Sequence, residues 1–324
     1  MFSQLNQLPN VSFNMASRRG PYGGGNQWLK LTRSYFDEFG YKTSTRLTRF
    51  TDCVLATHAG FGYNSLSYTF EHIGYIKIRN PNLKVIQRIN DNDIRKSTTN
   101  VDLFLSRSNS FADHTVFVSD WLLDYHSSVW FDKSKPHSVI RNAADSAIFN
   151  PYGSIVWDRA SPLRLVTHHW SNNLNKGFEF YSKIDTLIAS GVLSNVELWI
   201  IGNYPSSFTW RAAKLFPPCT GLKLAHLIKQ CHVHVTASLY EPGAMHPIEA
   251  LQCGLPIIYT SNTGGTVEVA SNYGVLADTT DPQAAINYVM DNYLLLRKKA
   301  ISNGSSGLYM AHCYHQLAQN LLLS

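Results

Sequence analysis

Residues 241–269 read "EPGAMHPIEALQCGLPIIYTSNTGGTVEV", with two acids, Glu241 and Glu249, eight positions apart around a short helical signal. Pro247 suits a first helical turn, where its missing N–H removes no bond. Gly254 suits a helix stop, and Pro256 lies just beyond it. These signals predict a helix over 247–253, with Glu249 near its third position. A full capping box needs Ser, Thr, Asp or Asn at the N-cap, and His246 stands there instead. That weakens, without removing, the reading of Glu249 as a capping acid. Gly243, Ala244 and Met245 present backbone N–H groups at the same helix N-terminus, a place that attracts phosphate or other anionic oxygens.

Strands alternate with helices on either side of this stretch. "LRLVTHHW" (163–170) reads as a strand and "NKGFEFYSKIDTLIAS" (175–190) as a helix. "VELWIIGNYP" (196–205) is a strand, "TGLKLAHLIKQC" (220–231) a helix and "HVHVTAS" (232–238) a strand. "PIIYT" (256–260) follows the opening stretch, and 281–300 is a long helix. The first half repeats the alternation. A glycine-rich turn leads into Gln27–Phe39, where Trp28, Leu31, Tyr35 and Phe39 recur at helical spacing. Gly40 is a plausible C′ residue. "CVLATHAGF" (53–61) is a short strand ending in a loop, and "LKVIQRIND" (83–91) is a strand with polar residues at its carboxyl end. "TVFVSDWLLDYH" (115–126) is a strand, a turn with Ser119 and Asp120 as N-cap candidates, then a helix.

Such alternation predicts an α/β chain of two Rossmann-like, doubly wound parallel sheets facing across a cleft. The irregular segment 143–162 is the linker candidate. The expected domains are 1–145, 146–302, and a last helix over 303–324. Ligands of such sheets bind at the carboxyl ends of the strands.

The 324 residues carry a formal charge of +6, and 44% of them are hydrophobic, which excludes a disordered chain. The first 150 residues hold 17 Lys+Arg against 12 Asp+Glu, and the remainder 11 against 10. The small excess reads as a solvated surface, or as weak peripheral contact with a membrane through the basic first half. No basic arm interleaved with aromatics is present, so nucleic acid is not an expected partner. Neither a secretory leader nor an apolar run of membrane-spanning length is seen. Five cysteines without a C-x-x-C pair fit free thiols and a cytoplasmic setting.

The opening stretch resembles the donor-binding signature of GT-B retaining glycosyltransferases of family 4: E-x7-E, then E-A-x-x-x-G-x-P, then G-G and a further acid. Four other segments fall in that family's order. They are the glycines at 23–25, "VIRNAADSAIFNP" (139–151), "NKGFE" (175–179) and "LWIIGN" (198–203). E-x7-E alone is weak, whereas the ordered set is specific. The resemblance implies a GT-B fold and a retaining transferase. Its donor is a UDP- or GDP-linked sugar and its acceptor a hydroxyl of a glycan, lipid or protein, as in polysaccharide biosynthesis. It implies no cofactor and no metal.

Carried over by residue, Glu249 matches the acid that accepts from the ribose hydroxyls, and Glu241 the acid beside the donor sugar. Gly243, Ala244, Met245 and His246 match the loop that meets the sugar and diphosphate. Lys176 matches the cation on the diphosphate. Otherwise it is a solvated helix-start lysine, although a cation there opposes the helix dipole. Gly24 and Gly25 match the phosphate-side turn, with a plain positive-φ loop as the alternative. Gly202 either lets backbone approach the nucleotide or simply ends a strand.

The chain also departs from the family. The arginine usual five or six residues before the lysine is replaced by Trp170 and Ser171, so the phosphates would lean on Ser171, Asn172, Asn173 or Arg211. The histidine usual after the fourth strand gives way to "QRINDND", with Arg88, Asn90 or Asp91 in its place. The aspartate usual before the strand at 233 is His232. Asn90 and Asp91 join Glu241 and Lys176 as expected catalytic groups.

Other constellations are weaker. Cys231, His232 and His234 lack a second cluster to complete a metal site. His168 and His169 are adjacent on a strand and point to opposite faces. "NVS" (10–12) is a glycosylation sequon in form only. Competing readings are a binding-only paralogue, a nucleotide-sugar epimerase on the same fold, and a nicotinamide oxidoreductase, against which the degenerate "GPYGGG" speaks.

Overall fold

The computed structural model describes residues 8–57 and 66–324, so the loop expected at the end of 53–61 lies outside the described residues. The chain divides into two compact units. One takes residues up to Arg18, Gly25–Arg141 and Gly307–Ser324; the other takes Arg19–Gly24 and Asn142–Ser306.

The first unit is built on β1 (Asn10–Phe13), β2 (Lys42–Ser44), β3 (Cys53–Ala56), β4 (Lys84–Ile89), β5 (His114–Phe117) and β6 (His137–Val139). They form one sheet in the order β2-β1-β3-β4-β5-β6, every pair parallel. The sequon "NVS" is thus part of a central strand. Ser12 is buried and donates to the Arg46 carbonyl, while Tyr68 donates to Ser12. Four residues are too few to give β1 a period of its own, so only its pairing with β2 and β3 makes it a strand.

Helix α1 (Gly24–Glu38) begins three residues before the expected start. Its buried stripe is Trp28, Leu29, Thr32 and Phe36 rather than Trp28, Leu31, Tyr35 and Phe39. Phe39 is exposed and stacks on Tyr35 at 4.5 Å. The stripe turns because the sheet and the last helix of the chain both claim Trp28. Helices α2 (Phe70–Arg79), α3 (Asp93–Lys96), α4 (Val101–Asn109) and α5 (Asp120–Val129) complete the covering layers. Ser119 is the N-cap of α5, its hydroxyl accepting from the Leu122 N–H at 3.1 Å.

The second unit has β7 (Leu163–His169), β8 (Val196–Gly202), β9 (Lys214–Phe216), β10 (Val233–Thr236), β11 (Ile257–Thr260) and β12 (Gly274–Ala277). Their order is β12-β11-β10-β7-β8-β9, again all parallel. Numbered within the unit, this is the 3-2-1-4-5-6 dinucleotide-fold order, and the direction of winding reverses between β7 and β10. The helices are α6 (Phe178–Ala189), α7 (Gly221–Lys229), α8 (Met245–Gln252), α9 (Thr266–Tyr273) and α10 (Pro282–Ile301). Asp281 caps α10 by accepting from the Gln283 N–H at 3.0 Å, with Pro282 at the first position.

Two local expectations are corrected here. The helix expected over 175–190 is broken: Leu174–Lys176 form a 3-10 turn, and Gly177 at φ 82° starts α6. A side chain on Gly177 would collide with Ala237. The helix expected over 247–253 starts at Met245, with Ala244 at the N-cap, so Glu249 is its fifth residue. All eight residues of α8 are buried, and burying Met245 and His246 extends the helix past the local proline signal. Pro247 then falls at the third position, still among the N–H groups that lack an intrahelical partner.

Helix α11 (Gly307–Leu323) returns to the first unit and packs near β4. Tyr314 is fully buried, with its ring 5.4 Å from Trp28, and the Arg88 guanidinium lies 4.6 Å from the Trp28 ring. Tyr314→Ala should therefore cost about 3–5 kcal/mol of stability, read as a lower midpoint in denaturant. Leu308→Ala, on the exposed face, should cost under about 0.5 kcal/mol in the same titration.

Candidate functional site

The second unit gathers its polar groups at the carboxyl ends of β7 and β10, where the winding reverses. Glu241 follows β10 and is buried. Its backbone is fixed on two sides. It bridges in parallel to Gly264, and the Gly265 N–H donates to its carbonyl at 2.8 Å. Tyr240, just before it, is held at φ 53° with its N–H donating to the Asn262 carbonyl. The loops before α8 and α9 are therefore stitched together around Glu241.

Lys176 reaches the same point from the turn after β7, and its ammonium donates to Glu241 Oε1. The turn is tied down by Asn173, which accepts from the Asn175 N–H at 2.8 Å, and by the Leu239 N–H, which donates to the Asn175 carbonyl at 2.7 Å. Ser171 is half-buried beside it, its hydroxyl accepting from the Asn173 N–H. Glu249 is buried on α8, and His168 Nε2–H donates to its Oε2 at 2.8 Å. Gly243, Ala244, Met245 and His246 form the loop and first turn of α8, and Asn142 donates to the Gly243 carbonyl at 2.6 Å.

Four histidines line the floor of this site. His168 and His169 come from β7, His234 from β10 and His246 from α8. The His246 ring lies 4.9 Å from His169, 5.4 Å from His234 and 5.9 Å from His168. His246 Nε2 hydrogen-bonds Thr236 Oγ1 at 2.8 Å, and His169 Nε2 lies 3.0 Å from Thr167 Oγ1 and 3.2 Å from the Tyr181 hydroxyl. Burial pushes the His169, His234 and His246 imidazoles well below their ordinary value, and their mutual proximity adds to this; Lys176 contributes at His169 and His246. They are neutral at neutral pH. Although β7 points His168 and His169 to opposite faces, His246 touches both rings. Among the described residues, no group of three or more His, Cys, Asp or Glu is arranged to hold a metal ion.

The remaining expected site residues lie as follows. A side chain on Gly202 (φ 124°) would land on the His169 carbonyl, so strand packing alone requires glycine there. Gly24 clusters with the second unit, where a Cβ would sit 3.2 Å from Met245 Cβ. Gly25 belongs to the first unit, where a Cβ would sit 3.7 Å from Asn90 Nδ2. Arg211 sits in a loop whose N–H groups, its own included, donate to Asp185.

Asn90 follows β4 in a polar ladder of the first unit. Thr57 Oγ1 donates to Asn90 Oδ1 at 3.0 Å, and Asn14 exchanges two hydrogen bonds with the Thr57 backbone. Asp91 is buried, and its carboxylate receives Arg95 at 2.9 Å and Lys96. Burial raises its pKa, but the two cations outweigh burial and hold the carboxyl below its ordinary value. Arg88 is buried against Trp28 and donates to Thr57 Oγ1 at 3.4 Å. Of the three candidates, Asn90 alone is half-exposed.

Sequence reasoning missed Asn142 and the pairing of His168 with Glu249. Asn142 was visible as the polar residue in "VIRN". The signal for His168 was a histidine pair closing an otherwise apolar strand.

Two parallel six-stranded sheets with flanking helices are the architecture of GT-B glycosyltransferases. Residues 215–306 match the family model described as Glycosyl transferases group 1. The chain superposes on sucrose-phosphate synthase of Thermosynechococcus elongatus at a TM-score of 0.75 and 14% identity, covering 98% of this chain and 100% of that one. HepE of Anabaena, solved with UDP and glucose, gives 0.70 at 13% identity, over 97% and 100%. WaaG, a glycosyltransferase involved in lipopolysaccharide biosynthesis, gives 0.68 at 9% identity, over 95% and 99%. At these identities the structural likeness is one of fold. No curated protein matches by sequence. The fold is that of GT-B glycosyltransferases, and the segment similar to group 1 lies in the second unit.

The neutral histidines fix a pH dependence. Their folded pKa values lie below the unfolded value of about 6.5, so the unfolded chain binds more protons as pH falls through that value. Their contribution is intact above about pH 6.5 and lost on acidification, by up to about 1.4 kcal/mol per pH unit per histidine. His126, pushed to about 4 mainly by burial, adds to the same slope. The melting temperature should fall between pH 7 and pH 5, and less steeply in His234→Phe. Calorimetry across that range gives both slopes.

Proposed function

We propose that the chain is a retaining glycosyltransferase that moves a sugar from a nucleoside diphosphate sugar to a hydroxyl of a glycan, lipid or protein acceptor. One observation carries the reading. Lys176, Glu241, Glu249 and the N-terminus of α8 converge at the carboxyl ends of β7 and β10, where a sheet of this order receives a nucleotide. HepE, of the same fold, was solved with UDP. The donor in this reading is a UDP- or GDP-linked sugar.

In this reading the Glu249 carboxylate accepts from the ribose hydroxyls. The diphosphate takes the Lys176 ammonium and the N–H groups of Gly243, Ala244, Met245 and His246. Lys176 is then shared between Glu241 and the phosphates, so negative charge developing on the leaving group meets a cation already in place. Glu241 lies beside the sugar and, held by that cation, is a poor nucleophile for a double displacement. Front-face attack, with the departing phosphate accepting the acceptor's proton, fits this arrangement better. Gly25 and Asn90 belong to the acceptor-side unit, and Asn90 offers the polar group at its strand end. Asp91, committed to Arg95 and Lys96, anchors α3 instead. The diphosphate needs no metal in this arrangement.

A bound nucleotide at about 100 times its Kd should stabilise the fold by about 2.7 kcal/mol, visible as a raised melting temperature with one of the UDP, GDP or ADP sugars. Lys176→Ala and Glu249→Ala should each abolish the shift. A shift with NAD and with no nucleoside diphosphate sinks the reading. A shift without hydrolysis or transfer would make this a nucleotide-sugar-binding protein.

A further inference from the structure

His168 stands at the penultimate position of β7, next to the point where the sheet reverses. The side chains of His168 and Glu249 are 7% and 4% exposed, so the bond between them is shielded from water. A carboxylate only accepts, so the proton in this bond belongs to Nε2. The other ring nitrogen, Nδ1, is buried with no hydrogen-bond partner among the described residues. The ring packs edge-on against His234 at 5.3 Å and against His246 at 5.9 Å. Its polar action is thus directed at Glu249, and the two neighbouring rings fix its plane.

We propose that His168 is a positioning residue that sets the Glu249 carboxylate for the vicinal hydroxyls of a ribose, and that this bond lets the site distinguish ribo- from deoxyribonucleotides. The inference rests on the reading of Glu249 as the ribose acceptor. A glutamate side chain has three rotatable bonds, and ordering them on binding costs affinity. The bond to Oε2 settles that rotamer beforehand. A carboxylate held in one rotamer can meet two vicinal hydroxyls in one geometry, and both must be met for the discrimination to be large. His168 touches neither sugar nor phosphate in this assignment. It acts through Glu249 alone.

The test uses the full chain and isothermal titration with UDP, GDP and ADP, each beside its 2′-deoxy counterpart. The wild type should bind its preferred ribonucleotide at least about tenfold more tightly than the deoxy form, the range expected for a hydrogen bond to a charged group. In His168→Leu, ribonucleotide affinity should fall until the two forms differ by less than about threefold, while deoxynucleotide affinity stays within about twofold of wild type. His168→Gln, which keeps an amide donor near the Nε2 position, should restore most of the ratio and covers the case in which the leucine variant does not fold. A His168→Leu protein with lower stability but an unchanged ratio overturns the inference, because a purely structural histidine would give that result. A wild type that binds both forms equally overturns it too, while leaving a nucleotide site intact. A wild type that binds no nucleoside diphosphate overturns the proposed function itself.

Discussion

Two carboxylates sit almost fully buried within one loop and one helix of the second unit, and the rest of the site is arranged around that constraint. An unpaired buried carboxylate costs several kcal/mol, so each must be met by a donor. Glu241 is met by Lys176 and Glu249 by His168. Neither partner is a sequence neighbour. Both come from β7 or the turn after it, while both acids follow β10. The fold has to place those two strands side by side before either acid can be buried, and the register of His234 opposite Val166 does so. Burial of the acids and reversal of the winding are therefore one structural fact.

The histidine floor follows from the same constraint. Two carboxylates and an ammonium need a surrounding of low polarity to act strongly on a ligand, yet apolar side chains could not hydrogen-bond the threonines at the strand ends. Neutral imidazoles do both. His246 and His169 satisfy Thr236 and Thr167 while remaining uncharged beside Lys176. Had they been protonated, they would compete with Lys176 for Glu241 and set further positive charge beside its ammonium. The cluster is costly in acid because it is built to be neutral.

Much of this was legible in the sequence. The parallel alternation, the approximate helices and the cluster of Glu241, Glu249 and the α8 loop follow from spacing and from Gly and Pro signals. What was not legible depended on contacts between distant residues. The start of α8 moved two residues because Met245 and His246 are buried, which no local capping rule contains. The helix expected from residue 175 broke at Gly177 because Ala237 lies against it. The buried stripe of α1 turned toward Tyr314, nearly three hundred positions away. Strand β1 left no signal because its four residues have no room for a period. A histidine pair at the end of an apolar strand names no partner, and the partner of His168 is Glu249, 81 positions away.

The departures from the family pattern explain one another. Where the family carries an arginine, this chain has Trp170, half exposed at the end of β7 with its carbonyl held by Asn203 at 2.5 Å. Its indole lies 6.1 Å from Tyr22, and a side chain on Gly23 would come within 2.9 Å of its Nε1. A side chain on Gly24 would press on Met245. The glycines at 23 and 24 are thus already required by the packing of residues 19–24 on the second unit, whatever they do for a phosphate. Exchanging a guanidinium for an indole removes a charge from the rim of the site and adds a flat apolar face. With no arginine there, Lys176 is the cation that reaches the carboxyl ends of β7 and β10, and the buried Glu241 is the group that holds it in place.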